Sequence, residues 1–174
     1  MDATQPITTQ MPSSGGRLSD LQVPMINAMV SCLTNEHRRL DELTPRLALA
    51  ASRLARDPSQ RAARTRSLEA WDEVGHELWS HLQIEDALLY SWATANHALS
   101  PGLLETLKVE RQQMRLLLAT LSDLRLNEDR RGESAEDPDT LAETLSALAR
   151  HIDSHVERYD TEVLPAVLRA VFDR

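Results

Sequence analysis

Apolar residues return at helical spacing in four long stretches of the chain. In the first, Met25, Ile26, Met29, Leu33, Leu40, Leu43, Leu47 and Leu54 share one face. Asp20 to Pro24 looks like its start, since proline is tolerated in a first turn, and Arg56-Asp57-Pro58-Ser59 is the turn out. Pro45 lies inside this helix, where it removes a donor and crowds the preceding turn, so an interruption or kink is expected there. The second stripe is Leu68, Trp71, Val74, Leu78, Leu82, Leu89 and Trp92, on a helix from Pro58 or Arg64 to Asn96. Ser100-Pro101 is a cap and first turn for the third helix, which carries Leu103, Leu107, Met114, Leu117 and Leu121 and ends near Leu126. Residues 127–137 (NEDRRGESAED) read as a charged, solvated loop. Asp137-Pro138 opens the fourth helix, with Leu141, Leu145, Leu148, Ile152, Tyr159 and Val163. Four long helices on short loops predict an all-α fold, an antiparallel up-down four-helix bundle over residues 20–174. Residues 1–19, rich in Thr, Ser, Pro, Gln and Gly, read as a disordered tail.

The pattern occurs twice. His81 to Ser91 and His155 to Pro165 share a layout, a histidine, an acid five residues on and an apolar close, 74 residues apart. The same offset pairs Leu33, Glu36, Leu40, Leu43 and Leu47 with Leu107, Glu110, Met114, Leu117 and Leu121, and sets His37 opposite Arg111. One offset serving two separate segments implies an internally duplicated helix pair packed around a shared core.

Composition narrows the function classes. Five glycines and 3% aromatic residues favour helix over sheet. A net charge of −8 argues against a non-specific nucleic-acid binder, whose footprint would be basic. No apolar run approaches the ~20 residues that span a bilayer, and the N-terminus lacks a basic start and an apolar h-region. The single cysteine, Cys32, suits a reducing compartment, so a cytoplasmic protein with no membrane association is expected.

Polar residues on the inner faces then become the question, because burial without a partner costs free energy. At about 100° per residue His81 and Glu85 share the inner face, one turn apart, and both can reach one ion. His and carboxylate suit iron, and helices projecting them inward are a common scaffold for it. The bland alternative is that each is a hydrogen-bonded core residue. Glu36-His37, His81-x-x-x-Glu85-Asp86-x-x-Leu-Tyr, and His155 before an acid and Leu-Pro together resemble the hemerythrin/HHE cation-binding family over about residues 20–170. The resemblance implies a four-helix bundle with a non-heme di-iron site, and a role in binding O2 or NO, storing or sensing iron, or repairing iron centres. It implies His37, His81, Glu85 and His155 as metal ligands.

The chain departs from that family on its third and fourth helices. Arg111 stands at the family's helix-three histidine, Leu107 a turn earlier, and Tyr159 where a carboxylate follows the helix-four histidine. Arginine has no lone pair to donate, so the second half is expected to have lost most of its metal-binding capacity, and one iron is favoured over two. Asp160 sits at the His-x-x-x-x-Asp spacing that hemerythrins proper use on their last helix. Tyr159 is open to two roles, a phenolate ligand or a hydrogen-bond partner of Glu85. Glu110 falls within the apolar stripe of its helix, as a substitute ligand or the partner of Arg111 or another base. His151 is a reserve ligand, His76 and His97 are surface residues, and Trp71, Trp79, Trp92 and Cys32 read as packing. Arg53, Arg56, Arg61, Arg64 and Arg66 form a basic run at one bundle end, a solvated face or a contact for an acidic partner.

The expected function is a hemerythrin-like non-heme iron protein whose altered site takes O2, NO or peroxide. One alternative is a metal-free structural bundle in which Arg111 supplies the missing charge by pairing with Glu85, Glu110 or Asp160. Another is an oxidase-type enzyme with a remodelled pocket.

Overall fold

The computed structural model describes residues 22–131 and 138–172, with residues 22 and 128–131 as backbone alone. The expected tail (1–19) and most of the expected loop at 127–137 lie outside the described residues. Among the described residues every regular element is helical. Helix α1 spans Gln22–Arg56; α2 (Arg61–Ile84) continues through a π-helical segment, Glu85–Tyr90, into α3 (Ser91–Ala95). Helix α4 spans Pro101–Arg131, and α5 (Pro138–Arg158) continues through a second π segment, Tyr159–Val163, into α6 (Leu164–Phe172). These make the four rods of a bundle. Rod one packs along α2 and α5, α4 packs on α5, and α2 meets α4 over a shorter length. No helix among the described residues is long and apolar enough to cross a membrane.

Pro45 does not end α1. Its ring and Asp41, whose carbonyl loses the amide donor, both face solvent, where water can replace the bond. On the buried side, Thr44 Oγ1 donates to the Leu40 carbonyl at 2.7 Å. At the other cap, Ser100 Oγ accepts the Leu103 amide at 3.2 Å, which starts α4 as the sequence suggests. Helix α4 then runs to Arg131, five residues beyond the expected end at Leu126.

The two π segments begin at Glu85 and Tyr159, the same 74 residues apart as the sequence repeat. Burial explains them. His81, Glu85, Leu89 and Ala93 are buried at every fourth position, and so are His155, Tyr159, Val163, Val167 and Val171. Each step of four overshoots an α-helical turn by about 40°. Five such positions cannot stay on one face of a straight α-helix. A π turn takes up the extra residue and returns the stripe to the core.

The apolar core is split. One cluster contains Leu40, Leu47 and Leu54 from α1, Leu78 and Leu82 from α2, Met114 and Leu121 from α4, and Leu145 and Ile152 from α5. The other contains Ile26, Met29 and Leu33, then Leu89, Leu107, Tyr159 and Val163. On three rods a buried polar residue marks the change from one cluster to the other: His37, then His81 with Glu85, then His155. The alternation runs in opposite senses on successive rods, as antiparallel helices require. It places the polar layer inside the bundle, with apolar packing above and below.

Candidate metal centre

Each member of the polar layer is held by the helix that carries it. His37 projects from α1 between Leu33 and Leu40, while His81 and Glu85 lie one turn apart where α2 passes into its π segment. His155 projects from the last turn of α5. All four are at most 3% exposed. His37 Nε2 lies 3.1 Å from His81 Nε2, and His81 Nε2 lies 3.3 Å from His155 Nε2. Glu85 Oε1 stands 3.3 Å from His155 Nε2 and 3.7 Å from His81 Nε2. One donor atom from each of the four falls within 4.8 Å of the others.

Those spacings fit a metal ion. Two ligands at about 2.1 Å from one ion stand about 3.0 Å apart at right angles and about 3.4 Å apart at tetrahedral angles. Three imidazole nitrogens at 3.1–3.3 Å also cannot all satisfy one another, because each tautomer leaves lone pairs facing lone pairs or protons facing protons. Nδ1 of each histidine and Glu85 Oε2 are buried without a hydrogen-bond partner among the described residues. The tautomers are therefore set by what the Nε2 atoms face, not by a protein group behind the rings. Three nitrogen donors and one carboxylate converging in an apolar shell can hold a cation.

The electrostatics agree with that use. Burial, with the neighbouring charges of His81 and His155, lowers the His37 pKa to about 3. Burial also lowers His81, to about 4, although Glu85 pulls the other way. Both rings are thus neutral at pH 7 and carry lone pairs. Burial alone would raise Glu85, but the charge and hydrogen bond of His155, with His81 and His37 behind, outweigh it and bring the carboxyl to about 2. His155 answers in kind: burial opposes its charge, yet Glu85 raises it above the ordinary histidine value. In the metal-free protein Glu85 and His155 form a buried ion pair. A metal held here would take the place of the proton on His155.

The remaining candidates are spread around this core. Tyr159 is buried, with its ring edge-on to His37 at a centroid distance of 4.2 Å. Its hydroxyl hydrogen-bonds Thr34, and burial foremost raises its pKa, so it is a phenol at neutral pH. Glu110 is committed to Arg158, whose Nε donates to Oε1 at 2.8 Å, while Arg158 Nη1 also reaches Glu162. Asp160 is exposed, and its charge is felt by Asp41 on α1. His151 is half-buried, while His76, His97 and Trp79 are exposed.

Arg111 has a partner the sequence did not suggest. Its Nη1 lies 2.6 Å from Asp86 Oδ1, and Arg115 binds the other Asp86 oxygen. The Arg111 guanidinium carbon stacks 3.5 Å over the Tyr90 ring. Asp86, Tyr90, Arg115 and Arg158 were the surroundings of the site that sequence reasoning missed. A signal existed for three of them: Asp86, Tyr90 and Arg158 lie within the two copies of the repeated segment.

The description "Hemerythrin HHE cation binding domain" is that of a family model matching residues 21–167, most of the 174-residue chain. Comparisons with curated proteins and with solved structures found no significant match. The match spans all four rods and includes every member of the buried His/Glu cluster, and the chain belongs to the hemerythrin HHE cation-binding domain family.

Proposed function

We propose that this protein holds one non-heme iron ion through His37, His81, Glu85 and His155 and presents it to a small ligand, O2, NO or peroxide. The observation that carries this reading is the convergence of four buried donor atoms at the spacing of ligands around one ion. Two neutral imidazoles, an anionic carboxylate and a third imidazole that gives up its proton supply the softness and charge that iron accepts. One ion is preferred because the repeat sets Arg111 against His37 and Tyr159 against Glu85. A guanidinium and a protonated phenol offer a second cation nothing to bind. The lone Cys32 is consistent with a reducing cytoplasm.

The metal-free alternative needs Arg111 to neutralise an inward carboxylate of the site. Its charge goes to Asp86, Glu110 goes to Arg158, and Glu85 is held by histidines, which favours the metal-binding reading. The test is iron content after anaerobic loading with ferrous iron and desalting. About one iron per folded chain is expected, lost in Glu85→Ala and His37→Ala, with NO perturbing the absorption of the ferrous protein. A folded wild-type chain that retains none overturns the proposal.

A further inference from the structure

Several features of the molecule stand outside the metal-binding set. An open groove of about 620 Å³ at the α4 entry is lined by residues such as His97, Ser100, Glu162 and Arg169. A smaller one, about 260 Å³, lies beside Trp71 and Trp79. Neither holds a buried unpartnered group. The group that does is formed by Arg111, Arg115, Asp86 and Tyr90.

Three donor positions there are cut off from solvent and meet no aligned acceptor: Arg111 Nε, Arg111 Nη1 and the Tyr90 hydroxyl, whose oxygen takes a hydrogen bond from Arg111 while its own O–H finds none. The Nη1 contact to Asp86 is an ion contact, not an aligned hydrogen bond. Buried donors of this kind cost free energy unless an acceptor meets them. The charge also fails to cancel, since one carboxylate, Asp86, is shared by two guanidiniums and leaves one net positive charge. The rest of the chain is acidic, with a net charge of −8, so this positive spot is local. It adjoins the metal centre: Asp86 directly follows Glu85, Tyr90 closes the same π segment, the Arg111 charge acts on His155, and the Tyr90 hydroxyl feels Glu85. It is also reachable, because the Asp86 and Arg115 side chains are 36% exposed while Arg111 is 12% exposed. The group therefore runs from solvent to the edge of the centre, on the α2–α4 side, where the contact is sparser than along α1–α2, α1–α5 or α4–α5.

We propose that Arg111 and Tyr90 form an anion subsite beside the metal centre, which receives a small planar oxyanion of the carboxylate type. The guanidinium and the phenol hydroxyl would hold one oxygen of the anion, leaving the other free for a metal held by the His/Glu cluster. A guanidinium presents its donors in a fixed plane suited to a two-oxygen anion, and a desolvated charge binds it more strongly than one in water. Tyr90 stays protonated and donates, because burial foremost raises its pKa. Arg115 forms the outer rim and draws anions in. Asp86 fixes both arginines and partly offsets their charge. A neutral diatomic ligand makes no use of this charge, so the subsite gives the centre a preference between ligand classes.

This inference rests on the metal-binding reading, and the test separates the two. Iron-loaded wild type, Arg111→Gln, Tyr90→Phe and Asp86→Asn are titrated with sodium formate by calorimetry and with NO by absorbance. Arg111→Gln should weaken formate at least ten-fold and leave NO within about two-fold. Tyr90→Phe should weaken formate several-fold. Asp86→Asn should tighten it several-fold, an opposite sign that a loss of folding cannot imitate. If wild type retains iron but formate affinity is the same in all four proteins, or formate and NO weaken together in Arg111→Gln, the proposal is overturned alone. A folded wild type that retains no iron overturns it together with the reading beneath it.

Discussion

Acidification of the metal-free protein from pH 7 to pH 5 should remove a large part of its stability. His37 and His81 titrate at 6.5 when unperturbed, and at about 3 and about 4 in the fold. Below pH 6.5 the unfolded chain therefore binds two protons that the folded chain refuses, so stability falls as pH falls. At 1.36 kcal/mol per pH unit and group, the loss at pH 5 is about 2 kcal/mol each, about 4 kcal/mol together. Glu85 leaves this window unchanged, and His155 acts only at its upper edge. His155 has a raised folded pKa, so its contribution is full below 6.5 and declines as pH rises from there through the folded value; acidification from pH 7 to 6.5 restores a small part of it, against the larger loss. Glu85 is lowered from 4.5 to about 2, so its contribution is intact at pH 5 and is lost below about 4.5. Urea denaturation of chelator-treated protein at pH 7, 6 and 5 measures the effect. With a urea slope of about 2 kcal/mol per M, the midpoint should drop by about 2 M. His37→Gln should halve the drop, whereas His76→Gln, at an exposed position, should leave it whole. A wild-type midpoint that moves by less than about 0.5 M, or a His37→Gln midpoint that drops as far as that of wild type, would refute the account of two neutral histidines in the centre.

Three further outcomes follow from the same geometry. Binding of a divalent metal at pH 7 should release close to one proton, the one shared by His155 with Glu85, as read by calorimetry in two buffers of different ionisation enthalpy; no release would remove the buried ion pair. Gly75→Ala should destabilise the fold by about 1 kcal/mol, because the new methyl would lie 2.7–3.0 Å from three atoms of the buried Trp71 ring. Overpacking of about 1–3 kcal/mol then outweighs a gain in helix propensity of up to about 1 kcal/mol, and a higher Tm would show that the ring moves aside freely. Arg111→His combined with Tyr159→Glu should raise iron towards two per chain while neither change alone suffices, since a retained arginine repels the second ion and a histidine alone leaves its charge uncompensated. Iron per folded chain decides it, and a double variant that binds no more than wild type would break the correspondence between the two halves.

Much of this protein was legible in one dimension. A helix buries one stripe, so the spacing of Leu33, Leu40, Leu47 and Leu54, and of their counterparts on the other rods, already stated where the core lies. The same rule put His81 and Glu85 on an inward face, the resemblance to the hemerythrin family added His37 and His155, and the 74-residue repeat related the halves. Burial at every fourth position even held the mark of the π segments, which a constant 100° advance overlooked. Only the tertiary structure decided who meets whom. Arg111 turned to Asp86 and not to Glu85, Glu110 or Asp160, and Glu110 turned to Arg158. Asp160, at the spacing of a ligand, faces solvent. Periodicity reports the angle of a side chain about its own helix axis. A salt bridge or a ligand set depends on the height and rotation of a neighbouring helix, which the packing of all four rods determines together.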